Sequence, residues 1–298
     1  MISYLVRRTG QAIVALALVT LIVFSFRWLL PEGQRGGLRQ PTVAGYLSWL
    51  GQVLHGNLGF SSVQGASVGS LLAASLPRTL ALTLTATVLA IVIAVPVGLL
   101  QALGRDSAFD RVLRGISYIG YGVPSFFLGS VLILVFAVRL HVFAAVGPQE
   151  PGILGVLEDW QGLTLPVLTL AAFIGAIFAR YARAAAVESL SSDYVRTARG
   201  GGAGPGRILL RHVLRNSLIP VITLAGLSLP QIIGGSLIVE SLFNIEGVGW
   251  RLWQAALKHD FPVLLGFTLV IGVGAVAGSL LADVGYLIAD PRGRHRTP

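Results

Sequence analysis

The chain has no cysteine and a single methionine among its 298 residues. The lack of thiols excludes disulfides, thiolate metal sites and a cysteine nucleophile. Its five histidines form neither H-x-x-x-H nor H-E-x-x-H, so we expect no metal site. No G-x-S-x-G motif positions a serine for nucleophilic attack. We therefore expect no catalytic residue in this chain.

Lysine and charge in general are also scarce. The only lysine, Lys258, follows Leu257, so the chain has no G-x-x-x-x-G-K-[ST] phosphate-binding loop. This excludes ATP binding by that route, and we expect no cofactor in this chain. Only 12% of the residues are charged, 54% are hydrophobic, and the mean hydropathy is +0.77. Because so little polar surface cannot cover a soluble protein of this length, the composition predicts an integral membrane protein.

Long apolar runs are abundant by contrast. A hydrocarbon core of about 30 Å requires roughly 20 apolar residues in a helix. Six segments meet this requirement, which predicts an all-α protein with about six transmembrane helices and a single transmembrane domain over residues 1–298. The predicted spans are residues 9–30, 77–103, 116–140, 163–186, 216–240 and 262–288.

The net charge of +9 is distributed unevenly. Basic groups of a nucleic-acid-binding protein would spread over a soluble fold, whereas here they cluster between the spans, so we expect no nucleic-acid partner. Most of the 22 Lys and Arg residues fall on the side of the predicted spans that holds both termini. By the positive-inside rule, the N- and C-termini are predicted to be cytoplasmic.

Two segments on the opposite side predict short helices. Residues 43–54 form an amphipathic pattern, and we expect this helix to lie on the membrane or on another span. Between the last two spans, SLFNIEGVGWRLWQAALKHDFP contains a Gly-rich turn and a short helix that is too polar to cross a membrane.

Some polar residues within or near the predicted spans are candidates for functional roles. Gln231, beside Pro230 and shortly before Gly234, is the best candidate for a polar group that lines a pathway. Ordinary helix packing is the alternative interpretation of the prolines and glycines. Arg180 and Arg183 lie near the inner end of a span, where we expect them to snorkel to the membrane surface.

One long polar interval, Ser191–Pro220, lies between two apolar halves of the chain, and we predict a cytoplasmic coupling loop over residues 187–215. Ser192 can accept backbone N–H bonds at a helix start, and Asp193 suits the positive end of the helix dipole. The helix can continue to Arg199, after which the run Gly200–Gly202 ends it. The interval therefore predicts a short helix followed by a glycine hinge.

A second helix follows the hinge. Pro205 suits its first turn. Arg207, Arg211 and Arg215 then lie four residues apart on one helix face. We predict that these arginines hold the helix at the membrane surface.

The polar interval also carries a family resemblance. The stretch DYVRTARGGGAGPGRILLRHVLRNSLIPVIT resembles the EAA-type cytoplasmic loop of ABC importer permeases, in the version found in dipeptide, oligopeptide and nickel uptake systems. Further stretches agree in the correct order: LVRRTGQAIVALALVTLIVF, SLPRTLALTLTATVLAIVIAVPVGLL, GVPSFFLGSVLILVFAVRL, SLIVESLFNIEGVGWRLWQAAL and LLADVGYLIADPRGR. The resemblance covers nearly the whole chain.

This resemblance implies a type I ABC importer permease fold in the bacterial plasma (inner) membrane. It implies a multi-pass permease subunit that forms half of a translocation pathway for di- or oligopeptides, or a similar small solute, by alternating access. The implied partners are a second homologous permease, two ABC ATPase subunits or domains that bind ATP and magnesium, an extracytoplasmic solute-binding protein and the lipid bilayer.

The resemblance further implies that the short helix couples the permease to one ATPase. The implied coupling residues are Asp193, Tyr194, Arg196, Thr197, Ala198, Arg199 and Gly202. The family usually has a lysine near Gly201, which this chain lacks, and the outer segment after Pro31 is short for the family.

Other functions and several substrates stay open at this point. A self-sufficient secondary transporter would be expected to show inverted repeats and paired membrane carboxylates, and neither is evident. A membrane-embedded hydrolase would need a nucleophile and a base within the bilayer. A nickel-chelate importer permease is a further alternative, although the poor inventory of metal ligands argues against direct metal contact. Dipeptides, longer peptides, glutathione and chelated nickel all remain candidate substrates.

Overall fold

A computed structural model describes residues 2–26, 42–228 and 237–289. The regular secondary structure of this part of the chain is helical except for one small β-hairpin. The elements are, in order, α1 Ile2–Phe26, α2 Val43–Leu54, β1 Phe60–Ser61, β2 Ala66–Ser67, α3 Val68–Leu103, α4 Ala108–Gly122, α5 Ser125–Leu132 with a π-helical continuation Ile133–Arg139, α6 Gly152–Glu158, α7 Trp160–Ser191, α8 Asp193–Gly200, α9 Pro205–Ile208 with a π-helical continuation Leu209–Val213, α10 Leu214–Leu227, α11 Leu237–Leu242, α12 Val248–Leu257 and α13 Phe261–Ala289.

Several of these helices are long and apolar enough to cross a membrane. Four stretches meet this criterion within the described residues: Val68–Leu103, Trp160–Ser191, Pro205–Gly226 and Phe261–Leu280. The pair formed by α4 and the α5 segment is a fifth if it counts as one broken span. These helices confirm the predicted all-α membrane architecture, while the orientation of the termini stays a prediction.

The predicted span over residues 116–140 is broken rather than continuous. Helix α4 ends at Gly122, and the following helix begins after Pro124 at an angle of 102° to it. Val123 has an extended backbone (φ −78°, ψ 124°), as expected for a residue that precedes proline. The proline therefore ends one helix and starts another, where the hydropathy pattern alone predicts a single span.

The described structure divides into two compact units. The first contains Met1–Ala81, Val146–Leu163 and Leu229–Leu280. Within it, the amphipathic helix α2 packs on α1, because the Phe24 ring lies 5.4 Å from the Tyr46 ring and 5.6 Å from the Trp49 ring. The hydroxyls of Tyr46 and Thr20 are hydrogen-bonded at 2.8 Å. The helix predicted over residues 43–54 is thus confirmed, and it contacts another helix.

A buried carboxylate organises the turn between α11 and α12 in the same unit. Glu240 is 0% exposed; its Oε1 accepts a hydrogen bond from the Thr79 hydroxyl at 2.7 Å, and its Oε2 accepts one from the Trp250 backbone N–H at 2.9 Å. A Cβ at Gly247 would lie 2.5 Å from Glu240 Oε2. The Gly-rich turn and short helix predicted here are present, and the carboxylate explains why the turn needs glycine.

The second compact unit contains Leu82–Ala145, Thr164–Ser228 and Leu281–Pro298. Within it, α3 and α7 lie close together at Gly98. A Cβ at this position would lie 2.7 Å from the Ala179 carbonyl oxygen and 2.8 Å from the Ala182 Cβ. Glycine therefore allows the two backbones to approach closely, as small residues do in membrane helix pairs.

Candidate functional site

The short helix predicted in the polar interval is α8. Ser192 occupies its N-cap position with an extended backbone (φ −74°, ψ 152°), and Asp193 lies in its first turn. The Ser192 hydroxyl, however, donates to the Glu188 carbonyl at 2.9 Å and makes no capping hydrogen bond to α8. The predicted side-chain cap is therefore wrong, because the last turn of α7 engages the hydroxyl, whereas the helix boundary is confirmed.

The glycine run after α8 forms a hydrogen-bonded helix cap. The Gly202 N–H donates to the Arg199 carbonyl at 3.0 Å, and the Ala203 N–H donates to the Ala198 carbonyl at 3.0 Å. Gly202 has a φ of +79°, the left-handed conformation that glycine adopts without steric cost. These features define a Schellman motif, so the predicted hinge has a specific closed geometry. Its movement stays a prediction.

Tyr194 makes two contacts that join α8 to the helical segment that follows it. The neighbouring Val195 side chain is fully buried, at 0% exposure. The Asn216 side-chain amide, in α10, donates a hydrogen bond to the Tyr194 hydroxyl at 2.8 Å. The Tyr194 ring also lies 6.4 Å from the His212 ring. The helix is therefore held against its neighbour on one side.

The other side of α8 is polar and exposed. Arg196 and Asp193 form an ion pair at 3.5 Å, with their side chains 74% and 95% exposed. Thr197 and Arg199 are exposed as well. Such an exposed pair contributes little to stability, typically about 0.2–1 kcal/mol. These charged groups are consequently accessible to groups on another protein.

The structure places the predicted coupling residues together and leaves the predicted pathway residues undescribed. All seven coupling residues lie in α8 and its cap: Asp193, Tyr194, Arg196, Thr197, Ala198, Arg199 and Gly202. Their coupling role stays a prediction. Gln231, Pro230 and Gly234 lie outside the described residues.

The second helix of the polar interval begins at Pro205, as predicted. The side chains of Arg207, Arg211 and Arg215 are all exposed. A π-helical segment, Leu209–Val213, interrupts the α-helical register between the first and the last of them. The three arginines are therefore not spaced on one regular α-helical face.

Arg183 has a buried partner that the sequence interpretation missed. Its Nε and Nη2 donate to the two carboxylate oxygens of Asp110 at 2.8 and 2.7 Å, and Asp110 is 0% exposed. The prediction that Arg183 snorkels is thus wrong, because a carboxylate 73 residues earlier in the chain binds it. The separation is the reason that no local sequence pattern indicates the pair.

Within the described ranges, 2–26, 42–228 and 237–289, no group of three or more His, Cys, Asp or Glu residues converges in a way that could hold a metal ion.

The chain is similar to several known proteins. The family model for the inner membrane component of binding-protein-dependent transport systems matches residues 94–295, more than half of the chain. A Bacillus subtilis (strain 168) protein, "Oligopeptide transport system permease protein AppB", is 36% identical over 313 residues, covering 98% of this chain and 99% of the relative.

Other relatives and a solved structure agree. A putative peptide permease protein of Brucella suis is 36% identical over 258 residues, covering 86% of this chain and 81% of its own. The Escherichia coli O6:H1 "Glutathione transport system permease protein GsiC" is 33% identical over 315 residues, covering 99% and 100%. A chain of the inward-facing MetNI methionine ABC transporter superposes with a TM-score of 0.58 at 21% identity, covering 74% of this chain and 97% of that chain. At this identity, the structural likeness concerns the fold.

Proposed function

Because the chain belongs to the family of inner-membrane components of binding-protein-dependent transport systems, we propose that it is the permease subunit of an ATP-driven importer of peptides. It forms half of a translocation pathway that alternates between outward and inward access. A second, homologous permease completes the pathway, and an extracytoplasmic binding protein delivers the solute.

Peptides are the proposed cargo because similar proteins are named as permeases for peptides or for a peptide-like solute. Two of them are called oligopeptide and peptide permeases, and a third is called a glutathione permease. Glutathione is itself a tripeptide derivative, so the three names share a peptide-like solute. A small peptide is consequently the first cargo to test.

The energy for transport comes from partner ATPases that bind ATP and magnesium. The observation that carries this proposal is the polar helix α8, whose charged side is exposed while Val195 is buried and Tyr194 is hydrogen-bonded to Asn216. A helix held in this way can sit in a groove of an ATPase with one side and transmit its displacement to α10 with the other. The α8 helix is therefore the proposed coupling helix.

Coupling is tested by measuring uptake and ATP hydrolysis on the same reconstituted transporter, with binding protein and peptide present. We expect Arg196→Ala to lower uptake per ATP hydrolysed, because it removes an exposed cation of α8. We expect the same of Gly202→Ala, which strains the helix cap by about 1–2 kcal/mol. The matched control is Arg211→Ala, an exposed arginine outside α8, which should leave the ratio unchanged.

The proposal is wrong if uptake per ATP is unaffected in both α8 variants. Uptake by the purified chain alone, driven by an ion gradient without ATP, would instead identify a secondary transporter. Vesicles of the same lipid composition are used for both preparations, so the two outcomes can be compared.

A further inference from the structure

A cavity of about 330 Å³ lies among α3, α4 and α7 within the second compact unit. Ligand sites typically occupy about 300–1,000 Å³, so this cavity suits a small group. Its lining contains three arginines and no carboxylate. The lining residues are Gln101, Arg114, Ser117, Tyr118, Arg180, Tyr181, Arg183 and Ala184.

One wall of the cavity carries a buried hydrogen-bond donor without an acceptor. Gln101 is 1% exposed, and its Nε2 has no hydrogen-bond partner among the described residues. A buried amide that lacks a partner costs free energy, so such groups are normally satisfied. An acceptor atom of a ligand in the cavity would satisfy this donor.

Among the described residues, two of the three arginines in the cavity lie beside a carboxylate, and the third does not. Arg183 makes two hydrogen bonds to Asp110, and Arg114 lies 3.5 Å from the same carboxylate. Arg180 forms no ion pair with any described carboxylate; its guanidinium lies 5.5 Å from the Tyr118 ring centre. The cavity therefore contains two oriented arginines and one whose charge is unbalanced, an arrangement that attracts an anion.

The surroundings of the cavity indicate where such an anion comes from. Helix α4 exposes an apolar face, with Phe109, Val112, Ile116 and Ile119 between 53% and 66% exposed. In a membrane protein, an exposed apolar face suits contact with lipid tails. The same helix carries the exposed Arg111 near its start, on the side predicted to be cytoplasmic. The cavity thus lies beside an apolar face at the predicted inner end of the spans, where lipid headgroups lie.

We propose that this cavity binds a phosphate-type anion, supplied by the headgroup of an anionic phospholipid. Arg180 provides the unbalanced charge, and the Gln101 amide donates to a phosphate oxygen. Arg114 and Arg183 are held in place by Asp110 and complete a positive lining. Arginine is suited to this role because its planar guanidinium matches phosphate geometry. Inorganic phosphate has the same chemistry and is the alternative source of the anion.

The test uses the delipidated full-length chain in detergent, titrated in parallel with phosphatidylglycerol, phosphatidylcholine and inorganic phosphate. Native mass spectrometry counts the bound lipid, and thermal melting reports the stabilisation. We expect phosphatidylglycerol to bind more tightly than phosphatidylcholine. Arg180→Gln should weaken that binding by about tenfold or more, because it removes a charge-assisted hydrogen bond. The control is Arg111→Gln. It also removes one positive charge, but from a position in α4 outside the cavity, so it should change the affinity for phosphatidylglycerol less than about twofold.

A second variant separates binding from folding. Gln101→Leu removes the unpaired donor, so the lipid-free variant should melt no lower than the unmodified chain, yet it should lose the response to phosphatidylglycerol. Equal binding of the two lipids, equal losses in Arg111→Gln and Arg180→Gln, or full binding by Gln101→Leu would each overturn the proposal. Stabilisation by inorganic phosphate that matches phosphatidylglycerol would overturn the lipid source and assign the cavity to the free ion.

Discussion

The Asn216 side-chain amide donates a hydrogen bond of 2.8 Å to the Tyr194 hydroxyl, joining α8 to α10 across 22 residues of sequence. Between the two residues lie the Schellman cap at Gly202 and the helix start at Pro205. The bond therefore closes a loop that holds the proposed coupling helix in a defined position relative to α10.

Removing this bond should loosen α8. Tyr194→Phe keeps the ring beside His212 but loses the hydroxyl. Because a single hydrogen bond contributes about 0.5–1.5 kcal/mol, amide hydrogen exchange in α8 should accelerate by roughly twofold to tenfold. Hydrogen-exchange mass spectrometry of the purified chain measures this change.

The control for that experiment is Tyr121→Phe in α4. The Tyr121 ring stacks on Phe173, and no hydrogen bond of its hydroxyl is found among the described residues. This substitution should leave exchange in α8 unchanged. Unaltered exchange in α8 of Tyr194→Phe would show that the bond does not hold the helix.

Removing one partner of the buried pair between Asp110 and Arg183 should destabilise the second compact unit. Asp110→Asn leaves the Arg183 guanidinium, whose side chain is 20% exposed, without its counter-charge. Breaking a buried pair in this way costs about 3–5 kcal/mol, and the partial exposure of Arg183 favours the lower end. Denaturation of the purified chain in mixed micelles, followed by circular dichroism, measures the loss.

Asp106→Asn is the matched control, since Asp106 is exposed and lies 3.8 Å from Arg114. Asn tolerates the left-handed backbone at this position, where φ is +64°. The expected loss is at most about 1 kcal/mol. Equal losses in the two variants would contradict the importance of the buried pair.

The close approach of α3 and α7 predicts opposite outcomes for two glycines. Gly98→Ala places a methyl group 2.7 Å from the Ala179 carbonyl oxygen, so the helices must separate. The expected cost is about 1–3 kcal/mol. At Gly175 the nearest atoms to an added Cβ belong to Ala90, at 3.9 Å, so Gly175→Ala should be neutral or slightly stabilising. Melting temperatures of the two variants should therefore diverge, and equal values would contradict the described packing.

Most of the structural features that the sequence predicts correctly depend on local residue patterns. The apolar runs predict the long helices, and the order of Asp193, the glycine run and Pro205 predicts a helix, a stop and a second helix. These features depend on residues within a few positions of each other. The start of α8 is therefore confirmed. The predicted capping bond of the Ser192 hydroxyl is wrong, because this hydroxyl donates to Glu188 in the preceding helix.

Distant partners account for what was missed. Asp110 with Arg183, and Thr79 with Glu240, are separated by 73 and 161 residues. No periodicity in one sequence indicates which buried polar groups will meet, because the pairing depends on tertiary packing. The break at Pro124 belongs to a second kind of error, since hydropathy records whether a segment is apolar and not whether it is straight.

Cross-linking from α8 tests the central claim most directly. The chain has no cysteine, so Thr197→Cys introduces a unique thiol on the exposed side of the helix. In membranes that contain the assembled transporter, a thiol-directed cross-linker should join this position to the partner ATPase. The control is Val43→Cys in α2, on the predicted outer side, where the native side chain is 76% exposed. This position should not be cross-linked to the ATPase. Two results together would contradict the assignment of α8 as the coupling helix. The first is that no cross-link to the ATPase forms, and the second is that a membrane-impermeant reagent labels Thr197→Cys from outside intact cells.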